Sequence, residues 1–217
     1  MIIKIGADWN GVGVNSHEGK RICVERKSKR IIPPDQFLGR AIVERKIPFK
    51  SSRRGVPDGP VTGKQYSDGM HLLFRTETYF EVTQPMPGAV DAFNLFMGLA
   101  DELAIISATR GLNGQWVSQM MQTFEMPEAR VHMTRGESKT KHYLECQVAI
   151  DDEIQHLEAL DGTGTLPILM LADPATRGGQ IVPPPPNLFR SKTLKVATGW
   201  EQVIALAQPW IEAKMAA

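Results

Sequence analysis

The sequence predicts an α/β protein, a parallel sheet between two layers of helices, with a small and mostly α-helical insert after the first strand. Three observations lead there. The opening Met1-Ile-Ile-Lys-Ile-Gly-Ala-Asp8 is an apolar run that ends abruptly on an acid, as a buried strand does where it meets its exit loop. The second half of the chain alternates short apolar runs with amphipathic segments, the rhythm of strand–helix units that build a parallel sheet. Between these parts, from about Gly19 to Thr83, lies a basic stretch bearing Gly and Pro that keeps no such rhythm. The expected division is therefore a core of residues 1–18 and 84–217, with residues 19–83 inserted.

Each element has its own signal. After the first strand, Val12 to Val24 reads as a hairpin turning near Ser16-His-Glu-Gly19. In the insert, Pro34 to Arg45 and Gly63 to Phe74 read as helices, and Ser51 to Gly63, with Gly55, Pro57, Gly59 and Pro60, as a loop. Pro87 precedes an amphipathic helix over Gly88 to Ala100, where proline suits a first turn. Leu103 to Ser107 is a short buried strand, Gln115 to Phe124 a helix and Ala129 to Met133 a strand. Gln147 to Asp151 is a strand ending on acids, followed by a helix over Glu153 to Leu160 and a strand over Leu166 to Ala172. Pro183 to Pro186 is a stiff extended connector. Thr193 to Ala197 is a last strand, and Trp200 to Lys214 closes the chain as a helix.

Composition narrows the function classes. The 217 residues are long enough to bury a real core, and 42% hydrophobic with 23% charged residues is ordinary for a globular protein. No apolar run approaches the roughly 20 residues that span a bilayer, and the opening lacks the pattern of a secretory leader, so no membrane partner is expected. Cys23 and Cys146 have no metal-type spacing and read as reduced thiols in a cytoplasmic protein, a cross-link between them being the alternative. The net charge of +1 hides an uneven distribution: Lys20 to Arg54 holds twelve Lys/Arg against three acids. A polyanionic or phosphorylated partner would suit that stretch, and so would a plain solvated face. A nucleic-acid partner is a lesser expectation, since no clustered aromatics stand among these basic residues for bases to stack on.

The candidate site residues stand at strand ends. Asp8-Trp9-Asn10-Gly11-Val12 follows the first strand; Ile105-Ile106-Ser107 ends another; Ser138-Lys139-Thr-Lys141-His-Tyr-Leu144 precedes the acidic strand Val148-Ala-Ile-Asp151-Asp152. Carboxyl ends of parallel strands are where open α/β sheets bind ligands. Taken singly, each residue has an ordinary role: Asp8 in a turn, Ser107 at a helix cap, Asp151 and Asp152 complementing a helix dipole, the lysines on the surface.

In this order, the four motifs resemble those of the haloacid dehalogenase superfamily of phosphatases and related hydrolases, and within it the small nucleotidase-like proteins. The segment Gln84-Pro-Met-Pro-Gly-Ala-Val-Asp-Ala92 is similar to the one that precedes the helix in members with an early cap. The resemblance implies a Rossmann-like three-layer core with the insert as cap. It also implies a Mg²⁺ ion held by the Asp8 carboxylate, the Asn10 backbone carbonyl and Asp151, with Asp152 acting behind them or through water; oxygen ligands suit that ion. Asp8 would attack phosphorus of a small phosphomonoester, nucleotide-like in view of the basic cap, and form an aspartyl phosphate. Ser107 would donate to a phosphoryl oxygen, and the backbone N–H groups of Trp9 and Ala108 would complete the cradle. Lys139 would neutralise the charge, with Lys141 the competing choice for that role and otherwise a substrate contact. Trp9 would stack on a substrate base or, as the favoured alternative, pack against the insert.

One position departs from the pattern. The family's second aspartate, which protonates the leaving oxygen and later deprotonates the attacking water, is Asn10 here. An amide keeps the shape but shuttles no proton, and such help is worth about 10²–10⁴-fold. The consequences open to the chain are slow turnover, a good leaving group, a proton donor from the insert such as His17 or His71, or retained phosphate binding without catalysis.

Overall fold

The computed structural model describes residues 2–171 and 193–216, and the chain divides into two compact units. Among the described residues, one unit comprises 2–15, 85–171 and 193–216, the other 16–84. The strands are β1 Lys4–Ala7, β2 Val14–Asn15, β3 Arg30–Ile31, β4 Pro48–Ser51, β5 Gly59–Pro60, β6 Gln84–Pro85, β7 Glu102–Ser107, β8 Arg130–Met133, β9 Val148–Asp151, β10 Leu166–Met170 and β11 Lys195–Ala197. The α-helices are α1 His17–Ser28, α2 Ala41–Glu44, α3 Gly63–Phe74, α4 Thr78–Val82, α5 Ala89–Leu99, α6 Gly114–Thr123, α7 Thr140–Tyr143 and α8 Trp200–Met215.

The first unit is built on a six-stranded sheet in the order β11-β10-β9-β1-β7-β8, parallel at every pairing. The chain starts in the middle, runs outward through β7 and β8, then returns past β1 to β9, β10 and β11. Strand order therefore reverses at β1, the place in open α/β sheets where ligands bind outside the carboxyl ends. Register then places the acids. Ala7 lies level with Ile105 on one side and Ile150 on the other, so Asp8 and Asp151 are each one residue past a matched pair. The Asp8 N–H still donates to the Ile150 carbonyl at 2.8 Å. In a parallel sheet residues at one level point to one face, so the two carboxylates leave their strands together.

That face is tightly packed. Ala104, Ile106, Ala149 and Leu169 meet Tyr143, Cys146, Leu157 and Leu160 in one apolar cluster. Gly6 explains how the segment around α7 comes so close: a Cβ there would stand 2.9 Å from the Cys146 Sγ and 3.0 Å from Tyr143 Cδ1. Elsewhere α5 buries Ala89, Ala92, Phe93 and Phe96, the i, i+3, i+4, i+7 spacing of a helix face. Phe93 and Phe96 set their rings edge-on to Trp200 of α8, centroids 5.0 and 6.1 Å away. The Trp200 indole N–H donates to the Val12 carbonyl at 3.1 Å, tying the start of α8 to the loop that follows Asp8.

The second unit combines helices with a three-stranded antiparallel sheet, β3-β4-β5, so the stretch read as a loop from Ser51 onward contains the last residue of β4 and all of β5. The hairpin expected over Val12 to Val24 is instead largely α1, which buries Gly19, Cys23, Val24 and Ser28. Gly19 is a contact rather than a turn: a Cβ there would lie 2.6 Å from Val82 Cγ2. A Cβ on Gly69 of α3 would likewise lie 2.9 Å from the Val24 backbone, so α1 makes close approaches at both glycines. The single helix expected over Pro34 to Arg45 is a 3₁₀ turn at Pro34–Gln36 and the short α2, parted by Gly39 with φ of +57°. In the first unit, the helix expected over Glu153 to Leu160 is likewise two 3₁₀ turns, Ile154–His156 and Glu158–Leu160, closed by i to i−3 bonds such as His156 N–H to Glu153 O at 3.1 Å. Both cysteines are buried free thiols. The proline run Pro183 to Pro186 lies outside the described residues. No helix among them is long and apolar enough to cross a membrane.

Candidate active site

Lys139 is the centre of the arrangement. It stands at the N-cap of α7, is 2% exposed, and places its ammonium 2.9 Å from Asp8 Oδ1 and 2.8 Å from Asp151 Oδ2. One turn further along the same helix, the Tyr143 hydroxyl donates to Asp151 Oδ2 at 2.8 Å. The other Asp151 oxygen accepts from the Glu153 backbone N–H at 2.9 Å. Asp151, with no exposed surface, thus receives hydrogens from an ammonium, a phenol and an amide, which is how a buried carboxylate remains tolerable.

Asp8 is less well compensated. Oxygens of Asp8, Asp151 and Asp152 lie within 4.8 Å of one another, and the Lys139 ammonium lies against Asp8 and Asp151. Burial pushes the Asp8 carboxyl well above the usual carboxylate range; Lys139 works against that, and the charges of Asp151 and Asp152 add to it. For Lys139, burial alone would favour the neutral amine, but Asp8 and Asp151 outweigh it and hold the ammonium on. Burial, then Asp151, keeps the Tyr143 phenol protonated far beyond its normal range.

On the other side of β1, Ser107 is fully buried at the end of β7, and its Oγ accepts from the Thr109 N–H at 3.4 Å. The Asn10 side-chain amide donates to Thr109 Oγ1 at 2.8 Å, linking the loop after β1 to the loop after β7. Ala108 is half-buried between them.

No protein-family profile matches the sequence, and no curated protein matches it. Solved structures do resemble it. A HAD hydrolase of family IA, variant 3, from Entamoeba histolytica is 14% identical, with 98% of this chain and 100% of that one covered at a TM-score of 0.54. A HAD family hydrolase from Deinococcus radiodurans R1, with bound phosphate and sodium, is 13% identical over 97% of each chain, also at 0.54. A predicted phosphoglycolate phosphatase from Haemophilus somnus 129pt is 12% identical over 95% of this chain and 98% of that one, at 0.55. The fold is haloacid dehalogenase-like.

In a haloacid dehalogenase-like frame the positions read from sequence separate into those the structure gathers and those it does not. Asp8, Lys139 and Asp151 are in direct contact, and Asp152 shares their site. Asn10 and Ser107 each meet Thr109. Lys141 stands apart: it is exposed and paired with Glu137 at 3.8 Å. Two residues along a helix is about 200° around it, so Lys139 and Lys141 cannot both face Asp8. Trp9 has no exposed surface and packs its ring over Gly13, where a Cβ would come within 2.9 Å; it fills the core and presents no face to a substrate base. Two residues escaped the sequence reading. Tyr143 carried a usable signal, since it lies four residues after Lys139 and so on the same helix face. Thr109 carried none, because its partner is 99 residues away.

The donor set fits a divalent cation. The carboxylate oxygens of Asp8, Asp151 and Asp152 are clustered within one ion's reach, with the Lys139 ammonium against the first two. Hard oxygen donors suit Mg²⁺.

Proposed function

We propose that this chain is a Mg²⁺-dependent phosphohydrolase that acts on a small phosphomonoester through an aspartyl phosphate on Asp8. The observation that carries this reading is the buried Lys139 bridge between Asp8 and Asp151 at the point where strand order reverses. The haloacid dehalogenase-like hydrolases that share the fold support it. Phosphoryl transfer asks a protein mainly for position and charge neutralisation, and this cluster supplies both. Asp8 is held by Lys139 through Oδ1, and Lys139 would take up charge as the phosphoryl group arrives. Ser107 and the N–H groups of Trp9 and Ala108 would donate to phosphoryl oxygens. When bound, the ion would neutralise charge on the group being transferred.

Ligation is assigned to Asp8, Asp152 and the Asn10 carbonyl. Asp151 is already accepting from Lys139, Tyr143 and Glu153 N–H, which suits it better to anchoring the lysine. This exchanges the roles of the two acids expected from sequence. Residues 19–83 are proposed as the substrate-selecting cap, whose basic residues favour a substrate with more than one negative group, such as a nucleotide.

The test is a screen of phosphorylated metabolites with Mg²⁺, run on wild type and Asp8→Asn. Release of phosphate by wild type and none by the variant is the expected result. Equal release by both would remove the role given to Asp8. A second reading, phosphate binding without turnover, is favoured by Asn10 itself; binding without hydrolysis that Asn10→Asp does not rescue would select it.

A further inference from the structure

We propose that residues 29–58 of the second unit carry a docking face for double-stranded DNA, which Lys29, Lys50, Arg53 and Arg54 hold through its phosphates. The inference concerns the second unit taken alone and does not depend on the phosphohydrolase reading. Two basic segments separated in sequence meet there. α1 ends at Lys29, whose φ of +57° turns the chain towards β3. The Lys29 carbonyl accepts from the Ser52 N–H at 3.0 Å, and Arg30 pairs across the sheet with Ser51. The end of α1 is thereby set beside the connection between β4 and β5, which carries Arg53 and Arg54. Arg30 fastens that connection: its half-buried guanidinium donates to the Pro57 carbonyl at 2.9 Å. Lys29, Lys50, Arg53 and Arg54 are exposed.

Acids of the same unit are committed to other partners. Glu18 and Glu25 pair with Arg21, Glu44 with Arg40 and Asp68 with Lys64. Within the connection itself, Asp58 accepts from the Ser51 N–H at 2.8 Å. The face therefore keeps an excess of positive charge. Strand alternation adds a second feature. Phe49 turns into the apolar cluster with Val24, Phe37 and Val61, so Lys50 and Ile31, which lie opposite each other, turn outward. Ile31 is 52% exposed and Val56 38%. Among the described residues these are the exposed large hydrophobic side chains of the second unit, and both fall in the same basic stretch.

That chemistry selects the partner. A DNA duplex presents one negative charge about every 1.7 Å, and each lysine or arginine that reaches a phosphate releases condensed counterions. Single strands would ask for rings on which bases stack, and no Phe or Tyr of the unit is exposed among the described residues. An anionic membrane would ask for a broader apolar face than Ile31 and Val56 supply. Duplex RNA would ask for hydrogen-bonding groups directed at 2′-hydroxyls, whereas Lys29, Ile31, Lys50, Arg53, Arg54 and Val56 present charge and short aliphatic surface.

The experiment follows binding of the full-length protein to a short fluorescent DNA duplex by anisotropy, with chelator present, over about 50–200 mM salt. Phosphate contacts by the four cations predict a slope of log affinity against log salt of about −3.6, and a loss of about 10²-fold over that range. Arg53→Gln combined with Arg54→Gln should weaken binding and reduce the slope by about half. Arg40→Gln combined with Lys64→Gln removes the same charge from cations already paired with Glu44 and Asp68, and should leave the slope unchanged. Asp8→Asn should bind as wild type does, so failure of this inference leaves the phosphohydrolase reading standing. Should the Arg53 and Arg54 variant not fold, Lys29→Gln combined with Lys50→Gln should show the same halved slope. Absence of binding at the lowest salt, an affinity indifferent to salt, or an equal loss in the Arg40 and Lys64 variant would overturn the proposal. So would tighter binding to single-stranded DNA, to duplex RNA or to phosphatidylserine vesicles than to the DNA duplex.

Discussion

At the scale of single residues, the site is a problem in compensating buried charge. Asp151 is better provided than Asp8, and a large part of that provision is Tyr143, whose hydroxyl lies 2.8 Å from Asp151 Oδ2. A hydrogen bond to a charged group is worth about 1.5–3 kcal/mol, and partners held behind a proposed ion site, as Asp151 holds Lys139 against Asp8, typically matter about 10–100-fold in metal affinity or activity. Tyr143→Phe keeps the ring in its packed place and removes only the donor. It should lower stability by an amount in that energy range and weaken Mn²⁺ or Mg²⁺ binding about tenfold, checked by denaturant unfolding and titration calorimetry. Unchanged ion affinity with lowered stability would confine Tyr143 to the core. Asp8, Ser107 and Asp151 were legible at this scale because each is tied to a strand end by a local pattern. Tyr143 and Thr109 were not singled out, because their importance comes from a partner rather than from their own neighbourhood.

At the scale of elements, the site depends on how closely α7 can approach β1. The close approach is made by what Gly6 lacks. Gly6→Ala would press a methyl group against the Cys146 Sγ, Tyr143 Cδ1 and Ile106 Cδ1 at 2.9–3.0 Å. Overpacking of that kind costs about 1–3 kcal/mol, and here the residues displaced include the one that orients Asp151. Gly6→Ala should therefore lower both the melting temperature and the affinity for the divalent ion, whereas Gly162→Ala, where a Cβ meets nothing within 4 Å although φ is +77°, should lower only the first. Sequence patterns read the core elements well: β1, β7, β9 and β10 are apolar runs, and α5 has a clean apolar stripe. They failed where glycine serves contact instead of turning. Gly19 reads as a turn in sequence, yet it lies inside α1 with Val82 against it. They failed also where a segment is too short for an α-helix, as at the two 3₁₀ turns after Asp151.

At the scale of the whole molecule, the buried carboxylates couple folding to pH and, on the proposed function, to a divalent ion. Burial, with repulsion from Asp151 and Asp152, raises the folded-state Asp8 carboxyl above its unfolded value. Below the ordinary carboxylate range both states hold the proton and the group is neutral in its effect. As pH rises through that range the unfolded chain gives up its proton while the folded one keeps it, so this group's contribution to stability falls. The ion-free protein should thus lose stability from mildly acidic towards neutral pH, and Asp8→Asn should flatten that loss and raise the ion-free melting temperature. Mg²⁺ should restore wild type, by about 2.7 kcal/mol at a hundred times its dissociation constant, with a smaller gain in Asp8→Asn. Melting curves with chelator and with Mg²⁺, across pH on both proteins, check this; a wild type insensitive to pH and ion would remove the cluster as an ion site.

The amino-acid sequence on its own determined the α/β class, the alternation that makes a parallel sheet, and the strand ends on which Asp8, Ser107 and Asp151 sit, because these follow from hydrophobic period and from residues a few positions apart. Only the tertiary structure decided that Lys139 and not Lys141 meets the acids, that Tyr143 and Thr109 complete the arrangement, and that Trp9 is core. Those outcomes depend on register between strands and on the distance between packed layers, quantities set by the simultaneous fit of segments up to 188 residues apart, as in the bond from Trp200 to Val12.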